Sequence, residues 1–386
     1  MKESRLPFGI AAGRVDPATS SFAHDGLAGT PATPAASRRR LLQAGAVGSV
    51  ASLIGTALLT GKRAHAQGKL GKAVYGQGSI DPIFTAGYVA LKKGFFGEAG
   101  LEVEYLNSQS GPRTNQMLAA GQILFGATAA TAAPALTVAG KPAALIFGFD
   151  RRMTYANVLV RKDDYDSGKF RSLKDLAGQR VGATQPGSVT ALMAVYLMQQ
   201  AGISDKVDIR PLGDLATMLG ALKTGSVAAT MATASMMEQA IQEGWGKAIF
   251  DGTSDSVWNE FMGGDVPGIA AYALRETIDK RPEVVQAFVG GLVKAQDLIN
   301  TSTAQAVTDL IHQDYMNSLS RESVLKAVTL YKDTVWLKDN VITEEAYSRM
   351  TRIMGDGRQF SNEQIKTVPY SICADMSFVR KARGRA

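Results

Sequence analysis

The chain has 386 residues, enough for two compact domains, and its 45% hydrophobic and 20% charged residues are ordinary for a soluble globular protein. The formal charge of +7 would suit a nucleic-acid partner, but residues 1–66 alone carry +5 of it, from eight basic and three acidic side chains. The rest of the chain carries only +2, so we predict no nucleic-acid partner.

Cysteine and histidine are scarce, which excludes several classes of site. Cys373 is the one cysteine, and of the three histidines only His312 lies beyond residue 66. An intrachain disulfide, a Cys/His zinc site and a catalytic triad that needs two histidines are therefore excluded. We predict no metal, no cofactor and no catalytic residue, although hydrolysis by carboxylates alone is not excluded.

The N-terminal segment has the order of an export signal. Residues 1–36 lack a periodic pattern and are predicted to be disordered. The paired arginines of Ser37–Gln43 precede the mildly apolar run Ala44–Leu59, and Ala64-His65-Ala66 forms an A-x-A cleavage site. This order resembles a twin-arginine signal peptide, so we expect cleavage after Ala66 and a periplasmic protein. Export through the twin-arginine or the general route remains open.

Strand and helix patterns alternate after the signal. Strands are predicted at Leu70–Tyr75, Leu101–Leu106, Ile123–Phe125 and Ala143–Phe149, and helices at Ile83–Lys93, Asn115–Ala120 and Pro134–Ala139. This βαβαβαβ order predicts a mainly parallel sheet with right-handed crossovers.

The same order returns in the second half of the chain. After the strand Asn157–Arg161, a capped helix at Ser172–Gly178 leads into strands at Arg180–Ala183, Val207–Pro211, Val227–Met231 and Ala248–Phe250. Helices are predicted between them, starting after Ser188 and at Asp214–Lys223 and Met236–Glu243. Later helices are predicted at Val284–Ile299, Ala304–Gln313, Arg321–Trp336 and Glu344–Gly355.

Two similar α/β units, the first interrupted by the second, predict a two-lobed clamshell with a helical C-terminal region. We assign residues 67–161 and 266–300 to the first lobe and 162–265 to the second. Residues 301–386 are expected to pack mainly on the first lobe. The hinges are expected at Val158–Arg161 and, within the crossing segment Phe261–Tyr272, at Val266–Tyr272.

The candidate ligand site follows from where the strands end, since open α/β sheets bind ligands beyond the carboxyl ends of their strands. These loops are rich in hydroxyl, amide and glycine residues and nearly free of charge. The predicted ligand-binding residues are Gln77, Ser79, Ile80, Asp81, Ser110, Gly111, Thr128, Ala129, Thr131, Gln185, Gly187, Ser188, Val189, Thr190 and Met231.

The turn before the helix that starts after Ser188 is the strongest candidate for binding an anion. The strand Arg180–Ala183 runs into Thr184-Gln185-Pro186-Gly187-Ser188, so a helix N-terminus and its free N–H groups face a loop. An ordinary helix cap explains the same residues. Asp81 before Pro82 likewise fits a helix cap as well as a ligand contact.

Charged and aromatic candidates have ordinary explanations too. Arg113, Arg151 and Arg152 lie near strand ends, where an arginine adds affinity for a carboxylate or sulfonate, but solvent-facing roles are commoner. Tyr155 fits stacking on a ring or simple packing.

The run Ala90–Glu104, ALKKGFFGEAGLEVE, resembles the signature of periplasmic solute-binding proteins of the nitrate/sulfonate/taurine type, which are related to thiamine-pyrimidine-precursor binding proteins. Further matching motifs occur in order at Met117–Gln122, Ser172–Gly182, Leu222–Ala229 and Arg281–Phe288. The resemblance covers roughly Lys72 to Gln296. It implies a type II periplasmic binding fold and a monomer that delivers a small molecule to the permease subunits of an ABC importer.

Three functions remain open. The protein is a transport binding protein, an enzyme on the same fold such as a pyrimidine synthase or a desulfinase, or a ligand-binding subunit of a sensor. The loops suit sulfonates, nitrate, carboxylates or an uncharged heterocycle. Because hydroxyl and N–H donors dominate and acids are scarce there, we favour a small organic anion.

Overall fold

The computed structural model describes residues 70–385, which belong to one compact unit. The expected leader and signal peptide, residues 1–66, lie outside the described residues. Within the described range, no helix combines the length and the apolar character that crossing a membrane requires.

Residues 70–385 form ten strands and 17 α-helices, together with three short 3-10 helices and one π-helical turn. The strands are β1 (Gly71–Gln77), β2 (Leu101–Asn107), β3 (Phe125–Ala129), β4 (Ala143–Gly148), β5 (Asn157–Arg161), β6 (Arg180–Ala183), β7 (Asp208–Pro211), β8 (Ala229–Ala232), β9 (Gly246–Phe250) and β10 (Ile269–Leu274). The helices are α1 (Thr85–Lys93), α2 (Phe95–Glu98), α3 (Gly111–Ala119), α4 (Ala132–Val138), α5 (Lys162–Asp166), α6 (Val189–Gln200), α7 (Leu215–Lys223), α8 (Ala234–Gln242), α9 (Asp255–Met262), α10 (Arg275–Lys280), α11 (Pro282–Thr301), α12 (Ala304–Tyr315), α13 (Arg321–Leu330), α14 (Glu344–Asp356), α15 (Asn362–Lys366), α16 (Tyr370–Cys373) and α17 (Ser377–Ala382).

The strands form two sheets of the same design. The first has the order β2-β1-β3-β10-β4 and the second β7-β6-β8-β5-β9. In each sheet one strand, β10 or β5, is antiparallel to both neighbours, whereas β1 and β6 run parallel to theirs. The first lobe is hereafter the part of the molecule around the first sheet, and the second lobe the part around the second. The predicted two-lobed α/β fold is confirmed.

The positions of β5 and β10 correct the predicted lobe boundary. β5 follows β4 of the first sheet along the chain but belongs to the second sheet, and β10 follows β9 of the second sheet but belongs to the first. The sequence predicts β5 in the first lobe and in a hinge, but the strand pairs with β8 and β9 inside the second sheet. The chain instead crosses between the sheets at residues 149–156 and 251–268. Periodicity identifies a strand but not its partners, which explains the error.

Several helices begin or end away from their predicted positions. α3 begins at Gly111, four residues early, because Pro112 is well suited to the first turn of a helix. α8 begins at Ala234, since the hydroxyl of Thr233 accepts from Met236 N and caps it. The helix predicted to reach Trp336 ends at Leu330 and continues as a π-helical turn, Tyr331–Val335.

The C-terminal helices contact both lobes, whereas we expected them mainly on the first. α12 packs on α1, where Lys92 and Asp314 form an ion pair. α13 packs on α8 of the second lobe, and Ser323 Oγ donates to Gln242 Oε1 at 2.7 Å. Arg358, after α14, pairs with Asp205 of the second lobe at 3.0 Å.

Asp150 ties together the two segments that cross between the sheets. Its side chain is fully buried, and Oδ1 accepts from Gly268 N at 2.6 Å and Ile269 N at 2.9 Å. Oδ2 has no hydrogen-bond partner among the described residues. Burial raises the pKa of this carboxyl well above its usual range, although the two N–H donors oppose the shift.

Replacing Asp150 should therefore destabilise the protein. The change Asp150→Ala leaves the N–H groups of Gly268 and Ile269 buried without an acceptor, and we expect it to lower the unfolding free energy by about 2–4 kcal/mol. Urea unfolding measures this. The exposed Asp279→Ala is the control and should change stability by less than about 0.5 kcal/mol. Equal effects of the two substitutions would contradict the role of Asp150.

Candidate functional site

A cleft lies where the carboxyl ends of strands from both sheets face each other, with about 540 Å³ of free space that is partly open to solvent. We call it the inner cleft. Ten of the predicted ligand-binding residues line it: Ser79, Ser110, Gly111, Thr128, Ala129, Thr131, Gly187, Ser188, Val189 and Thr190. The structure thus brings together the loops that the sequence placed at separate strand ends.

The other predicted site residues lie elsewhere. Gln77 is fully buried and donates from Nε2 to Ser79 O at 2.6 Å, so its side chain supports the backbone of the loop after β1. Met231 is fully buried within β8. Ile80 lines a neighbouring cavity, and Gln185 lines a separate pocket beside α6, although its Oε1 accepts a hydrogen bond from Ser110 Oγ of the inner cleft. Asp81, which is described below, contacts the second lobe rather than the cleft.

The predicted ligand-binding set omits several residues that line the cleft, among them Gly78, Phe84, Gln109, Asn115, Thr184 and Leu215. Tyr155, which the sequence offered only as a candidate for stacking or packing, lines the cleft as well. Tyr155 comes from a crossing segment, for which strand-end reasoning makes no prediction. Its hydroxyl shares a hydrogen bond with Ser79 Oγ at 3.0 Å. Burial raises the pKa of Tyr155 well above its usual range, so this hydroxyl keeps its proton at neutral pH.

The N-terminus of α6 presents a network of hydroxyls to the cleft. Ser188 Oγ accepts from Ala191 N at 3.2 Å, which is the helix cap that the sequence allowed as the ordinary explanation. Ser188 Oγ also shares a hydrogen bond with Thr190 Oγ1 at 2.9 Å, and Thr190 Oγ1 accepts from Thr184 N. The N–H groups of Val189 and Thr190 have no intrahelical acceptor, because they belong to the first turn.

The N-terminus of α3 faces the cleft from the first lobe and lacks a side-chain cap. Ser110 occupies the capping position, but its hydroxyl donates across the cleft to Gln185 Oε1 at 3.3 Å. The first-turn N–H groups and the positive end of the helix dipole are therefore left for a ligand or water. Two helix N-termini from different lobes thus contribute to one cleft.

Thr128 supplies a hydroxyl with no partner. The residue is 4% exposed, and its Oγ1 makes no hydrogen bond with the described residues. A Cβ on Gly78 would lie 3.0 Å from Thr128 Cγ2 and 3.3 Å from Gly111 N. Glycine at position 78 therefore lets the loop after β1 approach Thr128 and the start of α3. A buried hydroxyl without a partner costs free energy unless a ligand or water satisfies it.

The described residues that line the inner cleft include no Lys, Arg, His, Asp or Glu. The arginine candidates point to other partners: Arg113 donates to Gln109 Oε1, Arg151 pairs with Asp265 and Arg152 pairs with Asp255. Within residues 70–385, no group of His, Cys, Asp and Glu side chains could hold a metal ion. The cleft can therefore bind a polar ligand through hydroxyls, amides and helix termini.

Asp81 connects the two lobes behind the cleft. Its fully buried carboxylate accepts from Ile83 N at 2.9 Å in its own lobe and from Ser235 Oγ at 2.6 Å in the second lobe. The hydroxyl of Tyr331, from the C-terminal region, donates to Oδ1 at 3.4 Å. Burial raises the pKa of Asp81, and these donors reduce the shift without cancelling it.

A model of the NMT1-like family matches residues 83–311, more than half of the chain, and the chain belongs to this family. A relative in Bacillus subtilis (strain 168), YtlA, is described as a binding protein. It is 22% identical over 300 residues, which are 76% of this chain and 84% of YtlA.

Solved structures share the fold at low identity. A protein of Bordetella bronchiseptica RB50 superposes with a TM-score of 0.72 at 21% identity, covering 81% of this chain and 97% of that one. The alkanesulfonate-binding protein SsuA from Xanthomonas axonopodis pv. citri, bound to MOPS, has a TM-score of 0.62 at 15% identity, covering 79% and 98%. The periplasmic nitrate-binding protein NrtA from Synechocystis PCC 6803 has a TM-score of 0.63 at 13% identity, covering 81% and 88%. The family resemblance predicted from the sequence is confirmed.

The raised pKa of Asp81 predicts a pH-dependent stability difference between the wild type and Asp81→Asn. Above pH about 3.9 the unfolded chain releases the Asp81 proton, whereas the folded protein retains it until its own higher pKa is passed. The wild type should therefore lose stability relative to Asp81→Asn as the pH rises above about 4, by up to about 1.4 kcal/mol per pH unit. Urea unfolding between pH 4 and 8 measures this. Asp279→Asn is the exposed control, and its difference from the wild type should not depend on pH in this way. A constant difference for Asp81→Asn would contradict the burial of this carboxyl.

Proposed function

We propose that the protein is the periplasmic binding component of an ABC importer and that it captures a small organic anion in the inner cleft. The observation that carries this proposal is the convergence of the unpartnered Thr128 hydroxyl with the N-termini of α3 and α6. Such donors favour negative charge on a ligand without a positively charged side chain. After binding, the monomeric protein, cleaved after Ala66, delivers the anion to membrane permease subunits.

The contacts of the cleft favour binding over catalysis. Ser188 Oγ, the hydroxyl at the start of α6, is already bonded to Ala191 N and Thr190 Oγ1. No carboxylate or imidazole lines the inner cleft among the described residues, so no general base adjoins its hydroxyls. The described function of YtlA and the names of SsuA and NrtA agree with a binding role. A sensory role would use the same binding step.

An uncharged heterocycle is the second candidate ligand. Phe84 and Tyr155 line the cleft and offer aromatic surface to a ring, and the absence of formal charge among the described lining residues suits a neutral molecule equally. A ligand related to thiamine-pyrimidine precursors would be a heterocycle of this second kind.

A matched pair of ligands separates the two candidates. We expect methanesulfonate, taurine or nitrate to raise the melting temperature of the purified protein, by the equivalent of about 2.7 kcal/mol at a hundredfold excess over Kd. Dimethyl sulfone, a neutral analogue of methanesulfonate, should have no comparable effect. The bound anion should be recovered unchanged. Equal stabilisation by methanesulfonate and dimethyl sulfone would contradict the preference of the cleft for a charged ligand. Chemical conversion of the anion would contradict the binding role.

Thr128→Val tests the site itself. Valine keeps the shape of threonine but removes the unpaired hydroxyl, so we expect roughly tenfold weaker binding of the best anion with no loss of unfolding free energy. Calorimetric titration and urea unfolding measure the two quantities.

Thr137→Val is the matched control for that substitution. Its Oγ1 donates to Ala133 O at 2.9 Å and accepts from Ala143 N at 3.2 Å, away from the cleft. We expect this variant to lose about 1 kcal/mol of stability and keep its affinity. If Thr128→Val bound the anion as tightly as the control does, the proposed site would be wrong.

A further inference from the structure

Two of the described side-chain hydrogen bonds run directly between the first and the second lobe. Ser110 Oγ donates to Gln185 Oε1 at 3.3 Å, and Ser235 Oγ donates to Asp81 Oδ2 at 2.6 Å. The first contact joins two groups that stay uncharged, whereas the second contains a carboxyl that exchanges a proton with water. The Asp81 contact is therefore the one of the two whose free energy depends on pH.

Asp81 receives its hydrogen bonds from uncharged donors. Its carboxyl is fully buried, and the donors are Ile83 N, the Ser235 hydroxyl and the Tyr331 hydroxyl. Burial raises the pKa of Asp81, and these donors oppose the shift without cancelling it. While the lobes are joined, the carboxyl therefore holds a proton at pH values at which a carboxyl in water has lost it.

Three further titratable groups interact electrostatically with Asp81. Tyr331 lies in the π-helical turn after α13, and Tyr155 and Asp150 lie in the first crossing segment. Burial raises the pKa of each of the three well above its usual range, so both tyrosines stay uncharged between pH 4 and 8. Water screens the charges of the flanking helices, since all of them are at least partly exposed. These charged residues are Arg321, Glu322 and Lys326 of α13, Glu238 of α8, and Lys92 and Lys93 of α1.

A chain of hydroxyls leads from Asp81 to a space that is partly open to solvent. Ser235 Oγ shares a hydrogen bond with Thr233 Oγ1 at 2.9 Å, and both residues line a cavity beside the inner cleft. When Asp81 is ionised, Ser235 donates to the carboxylate. When Asp81 is protonated, the carboxyl can donate to Ser235 Oγ, and Ser235 can donate to Thr233. The contact between the lobes is thus bonded in both protonation states, and the proton comes from solvent.

We propose that closing of the two lobes around the ligand takes up a proton at Asp81 from solvent, so that the protein binds its anion more tightly at acidic than at neutral pH. The inference rests on the proposed function for the ligand and on the Asp81 contact for the proton. Opening admits water to the carboxyl, which removes the cost of burying its charge and returns its pKa toward about 3.9. Because the closed arrangement holds the proton more firmly, protonation and closure stabilise each other.

Calorimetric titration of the purified protein with nitrate and with methanesulfonate tests the inference, because both anions stay ionised between pH 4 and 8. We expect the affinity to fall as the pH rises above about 4, by up to about tenfold per pH unit, until the closed protein also releases the proton. Titration in buffers of different ionisation enthalpy counts the protons, and we expect up to about one proton to be taken up with each anion. An affinity that does not change with pH, without proton uptake, would overturn the inference and leave the anion site standing.

Two variants assign the proton to Asp81. Asp81→Asn keeps a hydrogen-bonding group that does not ionise, so we expect its affinity to be independent of pH and its proton uptake to vanish. Ser235→Ala removes a donor that lowers the pKa of Asp81, so the fall in affinity should continue to higher pH than in the wild type. The exposed Asp279→Asn is the control and should behave as the wild type. Proton uptake by Asp81→Asn equal to that of the wild type would assign the proton to another group and overturn the inference.

The arrangement of the lobes can also be followed without a ligand, by small-angle X-ray scattering. Because protonation of Asp81 favours the joined lobes, the ligand-free wild type should have a smaller radius of gyration at pH 5 than at pH 8. Asp81→Asn should have the same radius at both. If neither anion bound, the proposed function would fail, and the scattering would decide on the pH dependence alone. Equal radii of the wild type would then overturn it, whereas a difference that Asp81→Asn abolishes would support it.

Discussion

The carboxylate of Asp81 joins three parts of the molecule at one buried point. It accepts from Ile83 N in the first lobe, Ser235 Oγ in the second and the Tyr331 hydroxyl in the C-terminal region. A buried carboxylate is tolerable only while its oxygens are satisfied, so separation of the lobes has to replace the Ser235 bond with water or a proton. The relative position of the lobes, and therefore the width of the cleft, depends on whether the Asp81 carboxyl is bonded to Ser235, hydrated or protonated.

The sequence predicts the local environment of Asp81 and misses its distant partners. An aspartate directly before a proline predicts a cap at the start of a helix, and the bond from Ile83 N confirms that alternative. Ser235 lies more than 150 positions further along the chain, and no periodicity relates the two residues. The same limit explains β5, whose strand character was predicted but whose sheet was not. Alternation of apolar residues reports burial, whereas sheet partners depend on the complete chain.

The unpartnered hydroxyl of Thr128 shows which features of the candidate site the sequence predicts and which it leaves open. Strand-end reasoning brings Thr128, Ser110 and Ser188 to one cleft, and the structure places all three in its lining. Which of these hydroxyls is free depends on details that the sequence leaves open. Ser188 caps α6 and Ser110 bonds to Gln185, whereas Thr128 Oγ1 has no hydrogen-bond partner among the described residues.

A cavity next to the inner cleft, lined by residues of the first lobe and of α7 and α8, shares a boundary with the Asp81 contact. Thr233 and Ser235 line that cavity, and Ser235 is the residue that donates to Asp81. Ser235 also shares a hydrogen bond with Thr233 Oγ1 at 2.9 Å, so displacing one hydroxyl affects the other. Asp81 is fully buried and Ser235 is 1% exposed, so the bond between them is already shielded from water while the lobes are joined. A hydrogen bond to a carboxylate strengthens as water is excluded, which favours the joined arrangement of the lobes. Water that enters between the lobes when they separate weakens this bond, so the Ser235–Asp81 pair favours the closed inner cleft.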